Sequence, residues 1–413
     1  MIMKYYLSIV LMTTCLLSGV SNAYAQKRQV KKTAVTKNVP TSEELLKQAE
    51  DYYNGTDGIF MNREKAKELF KKSADMGNTS AQLWMYSILK DTESTQTEAM
   101  KYLRMAAEKN NIDAMFEIGR CYNKGLCGLQ TDEEQSLYWF RLAAERNSPQ
   151  ALRMLGIIYH EGYCNTTVDK ETAFKYLKQA ADLDDCLACG LVSLTYERGE
   201  DVPKDIKQAV YYAKKGADLG DSNSQYYYGG YLIDGFGGLE KNDKQAFEYF
   251  MKSAEQGNKY AICAVAEFYQ RGLGGVKSSK EEAKKWYAKA SELGSAKASL
   301  VIADFCCSDE NERLSWYKKA AEQGDITGQA ELAWANCTGK VANYDTRAGA
   351  QELTKLMQTG NHRAICYFGE LLLQGGCGIP KDKKAAKKLF ESIKDSDDDI
   401  ASFYATMNLL KIK

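Results

Sequence analysis

The strongest constraint on this chain is that it repeats itself. The second small residue of a recurring motif marks the period: Ala74, Ala107, Ala144, Ala181, Ala217, Ala254, Ser291, Ala321 and Met357, with a weaker tenth at Lys394, at spacings of 33, 37, 37, 36, 37, 37, 30, 36 and 37 residues. A period of this length means one supersecondary unit per repeat, too small to bury its own apolar faces and obliged to stack on the next. Other rows keep the same register. Four residues before the marker stand Phe70, Leu103, Phe140, Leu177, Ala213, Phe250, Tyr287, Tyr317, Leu353 and Phe390, all apolar or aromatic. Seven residues after it the row is small, as at Ala81, Ala114, Ala151, Ala188 and Ser224, and twelve after it small again, as at Gly119, Gly156, Ser193 and Gly229, with Tyr86 as the exception. Small residues at both places let helix backbones approach closely while the large ones fill the space beside them.

One unit shows what each repeat predicts. Between Asn223 and Gly257, Ser224, Tyr228, Gly229 and Leu232 recur at helical spacing, and Asp234-Gly235-Phe236-Gly237-Gly238 breaks the pattern. A second helical pattern then carries Ala246, Phe250, Ser253 and Ala254 and stops at Gly257 as a C-cap glycine stops a helix. Gly, Asn or Asp stands three residues past most markers, at Gly77, Asn110, Asn147, Asp184, Gly220, Gly257, Gly294, Gly324 and Gly360. The spacing of 30 before Ala321 predicts that the turn after Cys306-Cys307 has lost its Gly-rich loop, and Thr338 to Gly349 is atypical.

The pattern Ala-x-x-x-Leu-Gly-x-x-Tyr-x-x-Gly, a Gly-rich turn, then Lys-Ala-x-x-aromatic-aromatic-x-x-Ala-Ala-x-x-Gly resembles the Sel-1-like repeats, relatives of the tetratricopeptide repeats. Ala151 to Gly162 (ALRMLGIIYHEG) and Glu282 to Gly294 (EAKKWYAKASELG) carry it most fully, and the resemblance runs from about Ser42 to the end. It implies an all-α fold: a right-handed α-solenoid superhelix of about ten stacked helix-turn-helix repeats over residues 42–413, with Ile400 to Leu410 as a C-terminal capping helix.

Residues 1–25 read as a secretory signal peptide of the kind secreted bacterial members carry. An apolar run from Leu7 to Leu17 leads to Ala23-Tyr24-Ala25, small at both positions that a signal peptidase reads, and is too short to span a bilayer. Residues 26–41 form a flexible linker carrying Lys27, Arg28, Lys31, Lys32 and Lys37 without an acid or an aromatic. The formal charge of the chain is zero; Lys4 and these five cations leave the repeats near −6. No nucleic-acid partner is expected, since phosphate contacts need a concentrated basic surface. No membrane span is expected after cleavage of the leader.

Catalytic residue types are scarce, and no enzyme activity is expected. The two histidines, His160 and His362, occupy different repeat positions, and His160-Glu161 does not continue into a zinc-binding HExxH. Two Ser-x-x-Lys strings, Ser87 to Lys90 and Ser315 to Lys318, keep open a penicillin-binding or β-lactamase-like enzyme, or a cell-wall ligand binder. The companion Ser-Asp-Asn and Lys-Thr-Gly elements are missing. No metal or cofactor is expected. Beyond Cys15, eleven cysteines remain; Cys127, Cys164 and Cys377 share one loop position, twenty residues past the marker, and Cys186-x-x-Cys189 lies on a helix without a second such pair. Cys263 and Cys366, among small and apolar residues, read as buried free thiols. Secreted members resembling this chain pin each repeat by a disulfide between the marker and eight residues on. The markers here are not cysteine, so that connectivity does not carry over.

The expected function is that of a non-catalytic exported scaffold, in the periplasm, at the cell surface or secreted, that binds a protein or peptide. On the first helix of each pair, positions 9, 13 and 16 past the marker point away from the packing rows, at about 100° per residue. This face gives Phe116, Arg120, Arg153, His160, Glu197, Tyr226, Glu267, Gln270, Trp334 and Glu370, unlike residues where the packing rows are alike. In the tetratricopeptide relatives the corresponding helix lines the concave surface, which the resemblance transfers to these ten residues.

Overall fold

The computed structural model describes residues 39–56, 58–340 and 345–412, so the signal peptide and most of the basic linker lie outside the described residues. The chain divides into two units, the first ending at Met76 and the second beginning at Gly77. In the first, Ser42–Asn54 pairs with Arg63–Asp75. Thr41 opens it with a capping box, its hydroxyl accepting from the Glu44 N–H while the Glu44 carboxylate accepts from the Thr41 N–H. The Ser73 hydroxyl closes the pair by donating to the Ser42 carbonyl at 2.6 Å.

The second unit continues the same motif. Its helix pairs are Thr79–Leu89 with Gln96–Glu108, Ile112–Lys124 with Glu133–Ala144, Pro149–Glu161 with Lys170–Asp182, Cys186–Arg198 with Ile206–Asp218, and Ser222–Asp234 with Asp243–Glu255. Then come Lys259–Arg271 with Lys280–Glu292, Ala296–Val301 with Glu310–Glu322, Ile326–Cys337 with Thr346–Gln358, and His362–Gln374 with Lys383–Ile393, before a last helix, Asp399–Ile412. Counting the first unit's pair, these are ten helix pairs and a terminal helix, and no β-strand occurs among the described residues. The fold is the helical-repeat solenoid that the spacing predicts.

The junction between repeats is a two-residue device. All nine residues three past a marker have positive φ, from 58° at Asn147 to 94° at Gly220. Asn and Asp tolerate that left-handed conformation better than other side chains, which is why they alternate with Gly here. The next residue is an N-cap in every case, at Asn78, Asn111, Ser148, Asp185, Asp221, Asn258, Ser295, Asp325 and Asn361. Its side chain accepts from the backbone N–H three residues on. One residue thus ends a helix and its neighbour starts the next.

The packing rows form the core. All ten residues four before the markers are buried, nine of them large, with Phe70, Leu103, Phe140, Leu353 and Phe390 showing no measurable exposure. Each such Phe or Leu contributes about 1.5–3 kcal/mol by leaving water. The small row makes room for them: a Cβ added at Gly119 would lie 2.7 Å from the Phe140 ring, at Gly156 2.6 Å from Leu177, at Gly229 2.7 Å from Phe250 and at Gly369 2.8 Å from Phe390.

The shortened eighth pair is where this regularity stops. After Ala296–Val301 the helix widens into a π turn over Ile302–Cys306, and the second helix begins at Glu310 without a Gly-rich loop. One apolar cluster ends here at Cys306 and Cys307, and another begins at Ala330.

Candidate partner-binding face

The ten candidate residues stand on the first helices of the third to seventh, ninth and tenth pairs. Nine are half-buried and Glu267 is exposed. Many are held by the following repeat. The Arg153 Nε donates to both carboxylate oxygens of the next N-cap, Asp185, at 3.0 and 3.1 Å. Glu197 accepts from the Tyr231 hydroxyl at 2.8 Å, and Glu370 from the Asn408 amide at 2.9 Å. The His160 Nδ1 lies 2.8 Å from its neighbour Glu161 and Nε2 3.3 Å from the Asp201 carboxylate. Trp334 stacks on Tyr367 with centroids 4.9 Å apart and planes 3° from parallel.

The remaining contacts stay within a repeat or cross one junction. Arg120 donates to Glu117 at 2.7 Å, Glu267 accepts from Arg271 at 2.9 Å, and Gln270 accepts from the Tyr287 hydroxyl at 3.1 Å. Phe116 packs against Phe140 at 5.7 Å. Tyr226 lies at the centre of an aromatic group, 5.6 Å from Tyr227, 5.8 Å from Phe250 and 5.9 Å from Tyr260 of the next pair. Burial raises the pKa of the Tyr226 hydroxyl, so it is a neutral hydrogen-bonding group at physiological pH.

Two groups on this face escape the sequence reading. Tyr260, 59% exposed and beside Tyr226, stands six past its marker, one turn before position 9 on the same helix face. Arg363 also stands six past its marker, but it is buried, donating to Asp304, Glu331 and Asp398. The Tyr317 hydroxyl donates to Asp304 and the Tyr367 hydroxyl to Glu331, both at 2.7 Å. This polar network lies where the two apolar clusters are interrupted. The signal available in sequence was the row itself, extended by one turn toward the N-cap.

The lysines and one serine of the two Ser-x-x-Lys strings have other neighbours. Lys90 Nζ lies over the Tyr86 ring at 5.6 Å, the Ser315 hydroxyl donates to the Glu312 carbonyl at 2.6 Å, and Lys318 faces Glu322 at 3.9 Å. Among the described residues no three His, Cys, Asp or Glu side chains are grouped to hold a metal ion. No helix among them is long and apolar enough to cross a membrane. All eleven described cysteines are thiols; Cys366 is buried and Cys263 half-buried, its sulfur 3.7 Å from the Ser295 hydroxyl.

A stack of helix pairs with a glycine-relieved core and unlike residues on its first helices defines a helical-repeat protein of the α-solenoid class. Sel1 repeat sequences match residues 49–78, 90–111, 112–148, 149–185, 187–221, 222–258, 259–295, 314–325 and 362–398, and the chain belongs to the Sel1 repeat family. Its structure is similar to that of c5321, a protective antigen present in uropathogenic Escherichia coli strains and displaying an SLR fold. That likeness has a TM-score of 0.67 and 25% identity and covers 85% of this chain and 76% of that one. A Sel1 repeat protein from Oxalobacter formigenes is similar with a TM-score of 0.53 and 27% identity, over 60% of this chain and 99% of that chain. Among curated proteins, the mouse DAP3-binding cell death enhancer 1 is 38% identical over 65 residues, which is 16% of this chain and only 13% of that protein's length.

Proposed function

We propose that this protein is a non-catalytic scaffold, exported from a bacterial cell, that binds an extended segment of a protein or peptide along the first helices of its second unit. The observation that carries this reading is the contrast between rows. Positions four before and seven past the marker are uniform from repeat to repeat because they pack, whereas positions 9, 13 and 16 present Arg, His, Glu, Gln, Tyr and Trp in turn. Uniform rows serve stacking; a row that varies serves recognition. Neighbouring repeats already hold several of these side chains, as Asp185 holds Arg153 and Tyr367 holds Trp334, so little rotamer entropy remains to be lost on binding. Protein binding agrees with the name of the mouse relative, a DAP3-binding protein. Export rests on the leader expected from the sequence of residues 1–25.

Cross-linking in the native envelope followed by mass spectrometry tests the proposal. A protein cross-linked through residues of the first helices is the expected result. Envelope extracts that yield no specific protein favour a purely structural component. Acylation by a labelled β-lactam that is lost in Ser87→Ala or Ser315→Ala favours a penicillin-binding enzyme instead.

A further inference from the structure

The residue four past the marker caps a first helix, and at five places it is met by a side chain six or nine past the preceding marker, on the first helix of the repeat before. From position 9, Arg153 donates to Asp185, and the Cys263 sulfur lies 3.7 Å from the Ser295 hydroxyl. From position 6, Asn223 accepts from the Asn258 amide and Thr327 from the Asn361 amide, both at 3.0 Å, and Arg363 donates to Asp398, ahead of the last helix, at 3.0 Å. Both aspartates met in this way are held by an arginine.

Asp221, the N-cap of Ser222–Asp234, differs. The two positions of the preceding repeat that would meet it are Leu187 and Gly190, neither of which has a polar side chain. Asp221 is only 5% exposed. Its Oδ2 accepts from the Ser224 N–H at 2.6 Å, but its Oδ1, which is cut off from solvent, accepts from no donor among the described residues. Burial raises the pKa of this carboxyl. A carboxylate withdrawn from water without a cation or a full set of hydrogen bonds is costly to keep. Asp185, with its side chain 7% exposed, has Arg153 as its cation, and Asp325, which has no arginine, is only half-buried. Gly190 stands where Arg153 stands one repeat earlier. A Cβ there would point at the carboxylate, 3.3 Å from Oδ2 and 3.0 Å from the Ser224 hydroxyl, with no other side chain of a facing helix within 4 Å.

We propose that Asp221 receives an arginine side chain of the bound protein or peptide, in the place that Arg153 fills one repeat earlier. This rests on the reading of the first helices as the partner-binding face and names what one point of that face selects. Gly190 lies on the face itself, at position 9, between Arg153 of the repeat before and Tyr226 of the repeat after. The incoming guanidinium donates to Oδ1, as the Arg153 Nε donates to both oxygens of Asp185. Leu187 and Leu194, one turn to either side of Gly190 on the same helix face, are half-buried and give the site apolar edges. Arginine suits such a place better than lysine, because its guanidinium is planar, more weakly hydrated and always charged. Since Oδ1 is covered in the unbound protein, the guanidinium displaces a covering side chain as it enters. What it gains there is a buried carboxylate that nothing else compensates.

The test selects a random peptide library displayed on phage against the full chain and against its Asp221→Asn and Gly190→Arg variants. Asparagine caps first helices elsewhere in this chain, at Asn78, Asn111, Asn258 and Asn361, so Asp221→Asn keeps the cap and removes the charge. Gly190→Arg supplies the cation from within; circular dichroism checks both variants, and Asp221→Asn decides alone if Gly190→Arg loses helicity. The natural chain should enrich peptides with arginine at one fixed position, and both variants should lose that enrichment. Replacing this arginine by citrulline, its uncharged analogue, should weaken binding to the natural chain by about tenfold or more and leave binding to Asp221→Asn unchanged. Peptides selected without an arginine preference, with lysine in equal measure, or with a preference that survives Asp221→Asn overturn the arginine site and leave the binding face standing. A library that yields no peptide for any of the three chains overturns the site and the face together.

Discussion

Arg363 holds Asp304 from 59 residues away, its two terminal nitrogens donating to the two carboxylate oxygens at 2.8 and 2.6 Å, with both side chains at most 5% exposed. The contact joins the start of the tenth pair's first helix to the π turn of the eighth, and Glu331 of the ninth joins it. A planar guanidinium reaches three carboxylates at once, which a lysine ammonium cannot do bidentately. Arg363→Ala leaves three buried or half-buried carboxylates without their cation and is expected to cost about 3–5 kcal/mol. Hydrogen exchange should show the loss concentrated in the last three pairs, because a solenoid's repeats rest mainly on their neighbours. A loss below about 1 kcal/mol would mean that water already solvates this network.

The same network gives a pH dependence with a definite sign. Burial raises the pKa of Glu331 despite the opposing charge of Arg363. A carboxyl whose folded pKa lies above its unfolded value contributes stability that is full below the unfolded pKa and is lost as pH rises through the folded one. The stability of the natural protein relative to Glu331→Gln should therefore fall as pH is raised from the ordinary glutamate range. Urea unfolding at a series of pH values measures it, and a difference that grows with pH contradicts the assignment.

Adjacent glycines should respond in opposite directions. A Cβ at Gly229 would lie 2.7 Å from Phe250, whereas at Gly230 nothing lies within 4 Å. Gly229→Ala is expected to destabilise by about 1–3 kcal/mol through overpacking. Gly230→Ala, in the same helix, should stabilise by about 0.5–1 kcal/mol. Gly156→Leu, against Leu177, should behave like Gly229→Ala and disturb one junction locally. Thermal melts with equal shifts at Gly229 and Gly230 would contradict the packing described for the small row.

The period made the fold legible because packing imposes the same demand on every repeat. A marker row, a large row and two small rows suffice to place ten helix pairs, and the missing loop near Cys306 and Cys307 is visible as a shortened spacing. What one repeat does not share with the next was harder to read. The π turn at Ile302–Cys306 and the ion network of Arg363 replace the regular apolar core at one place, and no periodicity announces a single exception. The positions of the proposed recognition face follow from helical angle alone, and the exposed Tyr260 lies outside them, one turn nearer the N-cap.

Export has a direct chemical signature. If residues 1–25 are a cleaved leader, the mature protein begins at Gln26, which N-terminal sequencing of envelope fractions determines. An intact Met1 in those fractions contradicts cleavage.

The central claim is that the first helices carry recognition and the second helices do not. With the cross-linked partner in hand, Tyr226→Ala and Trp334→Ala should each weaken its binding by about 2 kcal/mol or more, the range of an aromatic hot spot. Circular dichroism should remain helical in both. Lys175→Ala and Lys285→Ala, at exposed side chains of second helices that pair only within their own helix, should leave the affinity unchanged. Equal losses from the two sets, or losses from the lysines alone, would contradict the assignment of the binding face.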